Sequence, residues 1–233
     1  AVAVNAAFRR ITGYASNEVL GQHTMDLLQT SLNVDAVFTL LNSGSATFWQ
    51  GEVFCKRKGG ESFPSWQNIS AVRDLQGAIT HYVIAFSDIT DMHRAEQQLD
   101  HLAHHDTLTG LPNRLLFEDR FDHALKVAQR KQQPCHLLFI DLDDFKSIND
   151  TLGHAAGDRL LQLVAGRLKT TLRRSDTLAR LGGDEFVVIV ESTDAGDGVL
   201  LAEKLLAALA RPVQIDNELI SIACSIGISQ YPE

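Results

Sequence analysis

Cysteine is scarce in this 233-residue chain, with only three. Cys55, Cys135 and Cys224 lie far apart and form no Cys-x-x-Cys pair. That spacing excludes a disulfide framework and a cysteine zinc site, and reads as reduced core thiols of a cytosolic protein. Positive charge is also short: 21 Lys and Arg stand against 29 Asp and Glu, a net charge of −8. A non-specific nucleic-acid surface needs clustered cations to displace counterions, so no nucleic-acid partner is expected. A small anionic ligand stays compatible, because a bound metal ion can supply local positive charge. No apolar run approaches the ~20 residues of a membrane-spanning helix, and no signal peptide is legible. A cytoplasmic protein is expected, with room for a membrane anchor upstream of Ala1, where the chain starts without methionine. What is present is a 45% hydrophobic composition, which supports a packed core rather than disorder.

The pattern divides the chain in three. Residues 1–90 open with helical spacing at Ala6, Phe8 and Ile11 that stops at Gly13. A helical turn follows over Asn17–Gly21, and then a short helix carries Val34, Val37, Phe38 and Leu41 on one face. Three alternating segments come next, Trp49–Lys56, Ser62–Arg73 and Ile79–Ser87, separated by the hairpin signals Gly59-Gly60 and Gln76-Gly77. Short helices followed by a β-meander make an α+β unit. Residues 91–105 carry Met92, Ala95, Leu99 and Leu102 at heptad-like steps among polar residues. Two readings are open for this helix: packing on its own domain, or a parallel dimeric coiled coil joining two domains. Residues 106–233 predict helices over about Arg114–Arg130, Gly157–Arg173 and Asp197–Ala210, and strands over Cys135–Leu142 and Ile220–Ser229. A hairpin is predicted over Thr177–Val190, turning at Gly182-Gly183. That alternation indicates an α/β or α+β sheet domain.

Three places can carry chemistry. The apolar strand His136–Ile140 runs into Asp141, Asp143 and Asp144. Three carboxylates so close repel one another unless a cation neutralises them, so divalent metal binding stands against an ordinary acidic loop. Asp141 and Asp143 share a face if the strand continues. At the hairpin, Gly182-Gly183 permits a tight turn with bare backbone, followed by Asp184, Glu185 and the buried strand Phe186–Val190. Alone this is a polar hairpin tip. Beside a second acidic strand end it can clamp Mg²⁺, whose remaining ligands are commonly substrate phosphates. Metal-assisted phosphoryl or nucleotidyl transfer follows, with no substrate named. Third, Asn149–Asp158 reads as a glycine-containing loop whose Asn149 and Asp158 suit a purine edge. A carboxylate accepts from N1–H and the exocyclic amine of guanine, which adenine does not offer. The alternative for Asp158 is the N-cap of the next helix.

Four blocks resemble the GGDEF family in order and spacing. They are Asp106-x-Leu108-Thr109-Gly110-Leu111-Pro112-Asn113-Arg114, Asp141-x-Asp143-x-Phe145-Lys146-x-Ile148-Asn149-Asp150, Gly153-His154-x-x-Gly157-Asp158 and Gly182-Gly183-Asp184-Glu185-Phe186. The resemblance implies a nucleotidyl-cyclase-like domain with a ferredoxin-like core. It implies synthesis of cyclic di-GMP and two pyrophosphates from two GTP with Mg²⁺ or Mn²⁺, one GTP on each subunit of a homodimer. It makes Asp141, Asp184 and the Leu142 carbonyl the metal ligands and Asp184 the proton acceptor, with two further catalytic residues: Glu185, which helps hold the metal, and Lys146, which stabilises charge developing on the phosphates. Asn149 and Asp158 would read guanine, with His154 in the same pocket, and Gly182 and Gly183 would make room for the α-phosphate. Arg173 and Asp176 match the family's RxxD product-inhibition site. A downstream EAL-type phosphodiesterase domain, regulated by a GTP-binding GGDEF domain, is the alternative that the family offers. The family's final helix, with its phosphate-contacting basic residues, falls beyond Glu233.

Residues 1–90 resemble a PAS sensor domain at Asn5-x-x-Phe8-x-x-Ile11-Thr12-Gly13-Tyr14, Glu18-x-x-Gly21, Lys58-x-Gly60 and Asp88-Ile89-Thr90. That resemblance places residue 1 after the family's first two strands. It names no ligand, and His23 and His81 read as structural histidines rather than haem ligands. The expected organisation is a PAS-like domain at 1–90, a helical linker at 91–105 and a GGDEF domain at 106–233.

Overall fold

The computed structural model describes residues 1–191, 194, 196–215 and 218–232. The domain limit read at Glu233 falls outside them. The chain divides into two compact units, Ala1–Gln98 and Leu99–Glu233. No helix among the described residues is long and apolar enough to cross a membrane.

In the first unit, α1 (Ala6–Thr12) is capped by the Asn5 side chain, which accepts from the Phe8 N–H. Short helices α2 (Ser16–Val19) and α3 (Thr24–Leu27) precede α4 (Val34–Asn42), capped by Asn33. Strands β1 (Phe48–Lys56), β2 (Ser62–Arg73) and β3 (Ile79–Asp88) form an antiparallel sheet in sequence order. The alternation seen in sequence becomes burial: Val53, Cys55, Phe63 and Ile69 face inward onto Phe8, Val19, Leu28 and Leu41. Helix α5 (Thr90–His104) follows and buries none of its residues. Met92, Leu99 and Leu102 are each more than half exposed.

The second unit runs α6 (Arg114–Lys131), β4 (Cys135–Leu142), α7 (Phe145–Leu152), α8 (His154–Thr171), β5 (Thr177–Gly182), β6 (Glu185–Glu191) and α9 (Asp197–Leu209). A small hairpin of β7 (Val213–Ile215) and β8 (Glu218–Ile220) then leads to β9 (Cys224–Tyr231). The four-stranded sheet has the order β5-β6-β4-β9, all antiparallel. This β-α-β-β-α-β succession, with its first and third strands central, is ferredoxin-like. Both central strands are covered on two faces. Leu138, Ile140, Phe186 and Val188 pack on Leu160, Val164, Leu168 and Leu205 from α8 and α9. Cys135, Val187 and Ile189 pack on Phe117, Ala124 and Ala128 from α6. Hence the central β6 reads as an apolar run rather than an alternation.

Three sequence expectations shift. Asn149–Asp158, expected as loop, falls mostly within two helices: α7 covers Phe145–Leu152, and α8 starts at His154 rather than Gly157. Gly153 separates the two helices at φ 85° and ψ 159°, a conformation closed to side-chain-bearing residues. The last strand begins at Cys224, because residues around Ile220 pair in the β7–β8 hairpin instead.

One close approach is testable. Gly198 in α9 lies over the buried His136 ring, where a Cβ would come within 2.8 Å of Nδ1. His136 Nε2 donates to the Asp194 carbonyl at 3.2 Å, so the ring is pinned. Gly198→Ala is expected to destabilise the unit by about 1–3 kcal/mol through overpacking, despite the better helix propensity of alanine. Urea unfolding followed by circular dichroism measures this.

Candidate active site

The acidic ends of β4 and β6 meet. Asp141 pairs in register with Glu185 on β6 and with Ser225 on β9. Residues opposite one another in an antiparallel pair share a face, so both carboxylates project on the same side of the sheet. Asp143 lies just past the strand end, where its carboxylate accepts from Ser225 Oγ at 2.9 Å. The Asp141 carboxyl is held above its ordinary range, first by desolvation and then by the charges of Asp184, Glu185 and Asp143. Mutual repulsion of this kind is relieved by a cation. Among the described residues no three His, Cys, Asp or Glu side chains gather as a ready-made cage. The expected donors sit at this end of the sheet: Asp141 and the Leu142 carbonyl at the end of β4, and Asp184 at the hairpin tip. All are hard oxygens suited to a Mg²⁺-sized ion that takes its other ligands from phosphate and water.

The signature hairpin turns one residue later than expected. Gly182 still pairs with Glu185, and the two-residue tip is Gly183-Asp184. A register shift between Arg180 and Gly182 absorbs the extra residue. Gly183 sits at φ 52°, which a glycine adopts without cost. Asp184 is thereby at the tip itself and half-buried, while Glu185 opens β6 and is exposed.

The tip is held by a residue to which sequence reasoning gave no role. The Arg180 guanidinium donates through Nε and Nη2 to the Gly183 carbonyl at 2.9 and 2.6 Å. Through Nη1 it reaches both Asp106 oxygens at 2.9 and 3.0 Å. Asp106 also accepts from the N–H and Oγ1 of Thr109. Burial alone raises the Asp106 carboxyl, but the Thr109 and Arg180 hydrogen bonds and the Arg180 charge outweigh it and hold the group below its usual value.

The remaining candidates cluster around the α7–α8 corner. Lys146 is exposed in the first turn of α7. Asn149 is half-buried in its last turn. His154 opens α8, and Asp158 lies one turn further along, both exposed. Asp158 is therefore neither in a loop nor an N-cap, because α8 already starts after Gly153. Arg173 and Asp176 follow α8, and the Asp176 carboxylate accepts from the Arg173 backbone N–H at 2.9 Å. That bond leaves the Arg173 guanidinium, on an exposed residue, out of the pairing.

Residues 103–233 match the family model described as diguanylate cyclase, GGDEF domain, and residues 1–91 match a PAS domain model. The bifunctional diguanylate cyclase/cyclic di-GMP phosphodiesterase MucR of Pseudomonas aeruginosa is 47% identical over 143 residues, 61% of this chain and 21% of that protein. The diguanylate cyclase TpbB of the same species is 47% identical over 137 residues, 58% of this chain and 32% of that protein. A solved GGDEF-only form of TpbB aligns with a TM-score of 0.54 at 45% identity, covering 55% of this chain and 76% of that one. The chain thus spans between a fifth and a third of these curated relatives.

The lowered Asp106 carboxyl carries a pH dependence. A group whose folded pKa is depressed contributes stability that is full above its unfolded value and is lost as pH falls through the folded one. Wild-type stability is expected to drain as the pH drops below about 4, the ordinary aspartate value. Asp106→Asn is expected to flatten that part of the curve while lowering stability at pH 7. Thermal unfolding across pH 7 to 2 separates the two proteins.

Proposed function

The chain belongs to the GGDEF family, and on that premise we propose that it is a diguanylate cyclase, condensing two GTP into cyclic di-GMP with release of two pyrophosphates. The observation that carries this reading is the tethered tip. Arg180 holds Gly183-Asp184 at the end of β6, whose first residue Glu185 faces Asp141 across the sheet. The diguanylate cyclase name of the TpbB relative supports it.

In this reading Mg²⁺ or Mn²⁺ is held by Asp141, Asp184 and the Leu142 carbonyl, and supplies Lewis-acid charge at the triphosphate. Asp184 accepts the proton of the attacking 3′-hydroxyl. Glu185 keeps negative charge beside Asp141 and so favours cation retention. Lys146 offers its ammonium to the charge that develops on the phosphates. Asn149 and Asp158 read the guanine edge, with His154 beside them at the start of α8. Gly182 and Gly183, free of side chains, admit the α-phosphate. Each copy presents one nucleotide, so the reaction takes a homodimer. The exposed stripe Met92, Leu99 and Leu102 of α5 supports a parallel helix pair linking a PAS-like unit, whose ligand is unassigned, to the cyclase unit. Rotation of that pair would bring the two active sites together or apart. Arg173 and Asp176 bind cyclic di-GMP as a feedback inhibitor, with the free guanidinium suited to phosphate and guanine. A cytoplasmic setting, where GTP and Mg²⁺ are supplied, accompanies this reading. A second reading, a GTP-binding unit controlling a downstream EAL-type phosphodiesterase, draws on the bifunctional name of MucR.

In the full-length protein, Asp184→Ala is expected to lower cyclic di-GMP formation from GTP and Mg²⁺ by a factor of roughly 10²–10⁴, as for loss of a general base. Its circular dichroism should stay unchanged. Synthesis retained at the wild-type rate would discard the cyclase assignment and leave the regulatory one. Arg173→Ala is expected to keep initial rates and to sustain turnover in the presence of added cyclic di-GMP. Inhibition at the wild-type concentration of product would remove the RxxD assignment.

A further inference from the structure

Gly157 is buried in α8 and faces the side chain of Asn149 on α7. A Cβ at this position would fall 2.0 Å from Asn149 Oδ1, 2.9 Å from its Cγ and 3.3 Å from Phe145 Cζ. The first two are impossible contacts, and both involve the amide. Gly166, in the same helix, would meet nothing within 4 Å. The backbone at 157 is ordinary helix, so no unusual dihedral calls for glycine there. A glycine inside a helix is destabilising relative to alanine. What Gly157 supplies in return is space, and the group that fills the space is the Asn149 amide.

That amide is poised rather than used. Asn149 is half-buried, and no hydrogen bond among the described residues occupies its side chain. Phe145 is buried in the core one turn earlier and fixes α7. Asp158, the next residue after Gly157, is exposed beside it. With any larger residue at 157 the amide must leave its place against α8, because its Oδ1 and Cγ lie where the Cβ would be.

We propose that Gly157 is a positioning residue for nucleotide binding: its missing Cβ seats the Asn149 amide against α8 at the height of Asp158, and so sets affinity for the base. This deepens the function proposed above and rests on Asn149 as a base-reading group.

The test is a double-mutant cycle in the full-length protein with Gly157→Ala, Asn149→Ala and the pair. The probe is 3′-deoxy-GTP with Mg²⁺, which lacks the hydroxyl that would react. Affinity is read by calorimetry and packing by Tm. Gly157→Ala alone is expected to weaken binding roughly three- to tenfold, the worth of one hydrogen bond. In the Asn149→Ala background it should cause no further loss. There it should also raise Tm, since the amide clash is gone, the 3.3 Å approach to Phe145 Cζ needs a shift of only a few tenths of an ångström, and alanine is the better helix former, whereas in the wild-type background it should lower Tm. Losses that multiply, or a Tm change of one sign in both backgrounds, would overturn the proposal. If Asn149→Ala binds the probe like wild type while the Tm reversal persists, the base-reading assignment falls and the packing relation stands, so the two failures are told apart.

Discussion

The second unit depends on one guanidinium. Arg180 projects from β5, an edge strand, and its side chain is only 10% exposed. On one side it engages both Asp106 oxygens, on the other the Gly183 carbonyl at the hairpin tip. Its own backbone N–H donates to the Pro112 carbonyl. The segment Asp106–Pro112 is closed on itself by Asp106 N–H to the Leu111 carbonyl and by the Asp106 carboxylate to Thr109. The sheet edge is thus covered and the tip tied to the cover by one planar fork. A lysine offers a single flexible point charge and cannot hold both partners in that geometry. Removing either member leaves a largely buried charge uncompensated, the costly way to break such a pair.

That tether matters because the tip is electrostatically unfavourable without a cation. Asp141, Asp143, Asp184 and Glu185 converge enough that three of them push the fourth toward its neutral form. Such repulsion alone would splay the hairpin away from β4. The register between Asp141 and Glu185 persists because Ile140, Phe186 and Leu138 are fully buried immediately behind it. Hydrophobic packing on one face and the Arg180 fork at the tip therefore hold the acidic groups together in a shape suited to a divalent cation.

Much of this was legible in the residues. The β-meander of the first unit followed from alternation and two glycine-bearing turns. The apolar strand ending in Asp141 and the hairpin carrying Asp184 and Glu185 followed from runs and turn chemistry. What escaped was local helix in a polar segment. Phe145–Leu152 places Asp150 and Thr151 on its exposed side, and its one buried residue is Phe145. Phe145, Ile148 and Leu152 seat it on the core at helical i, i+3, i+7 spacing, a pattern only two turns long and crowded by acidic residues and Gly153. The Asp106–Arg180 pair escaped because it joins residues 74 apart, and no pattern in a single sequence links them.

In the proposed function, the base-reading groups stand on two helices either side of Gly153 rather than on a loop. Asn149 and Asp158 come from α7 and α8, each fixed by its own buried anchors, Phe145 and Leu161. A base held between groups on packed helices is oriented more tightly than one held by a mobile loop. The proposed reaction joins two identical nucleotides head to tail, and one hairpin with one base-reading corner presents only one of them. The second must come from a surface of the same kind, related by a two-fold axis, so that each copy's hydroxyl faces the other's α-phosphate. A rigid corner and a tethered tip are what make such an encounter productive, because two sites that wander independently would meet in register too rarely.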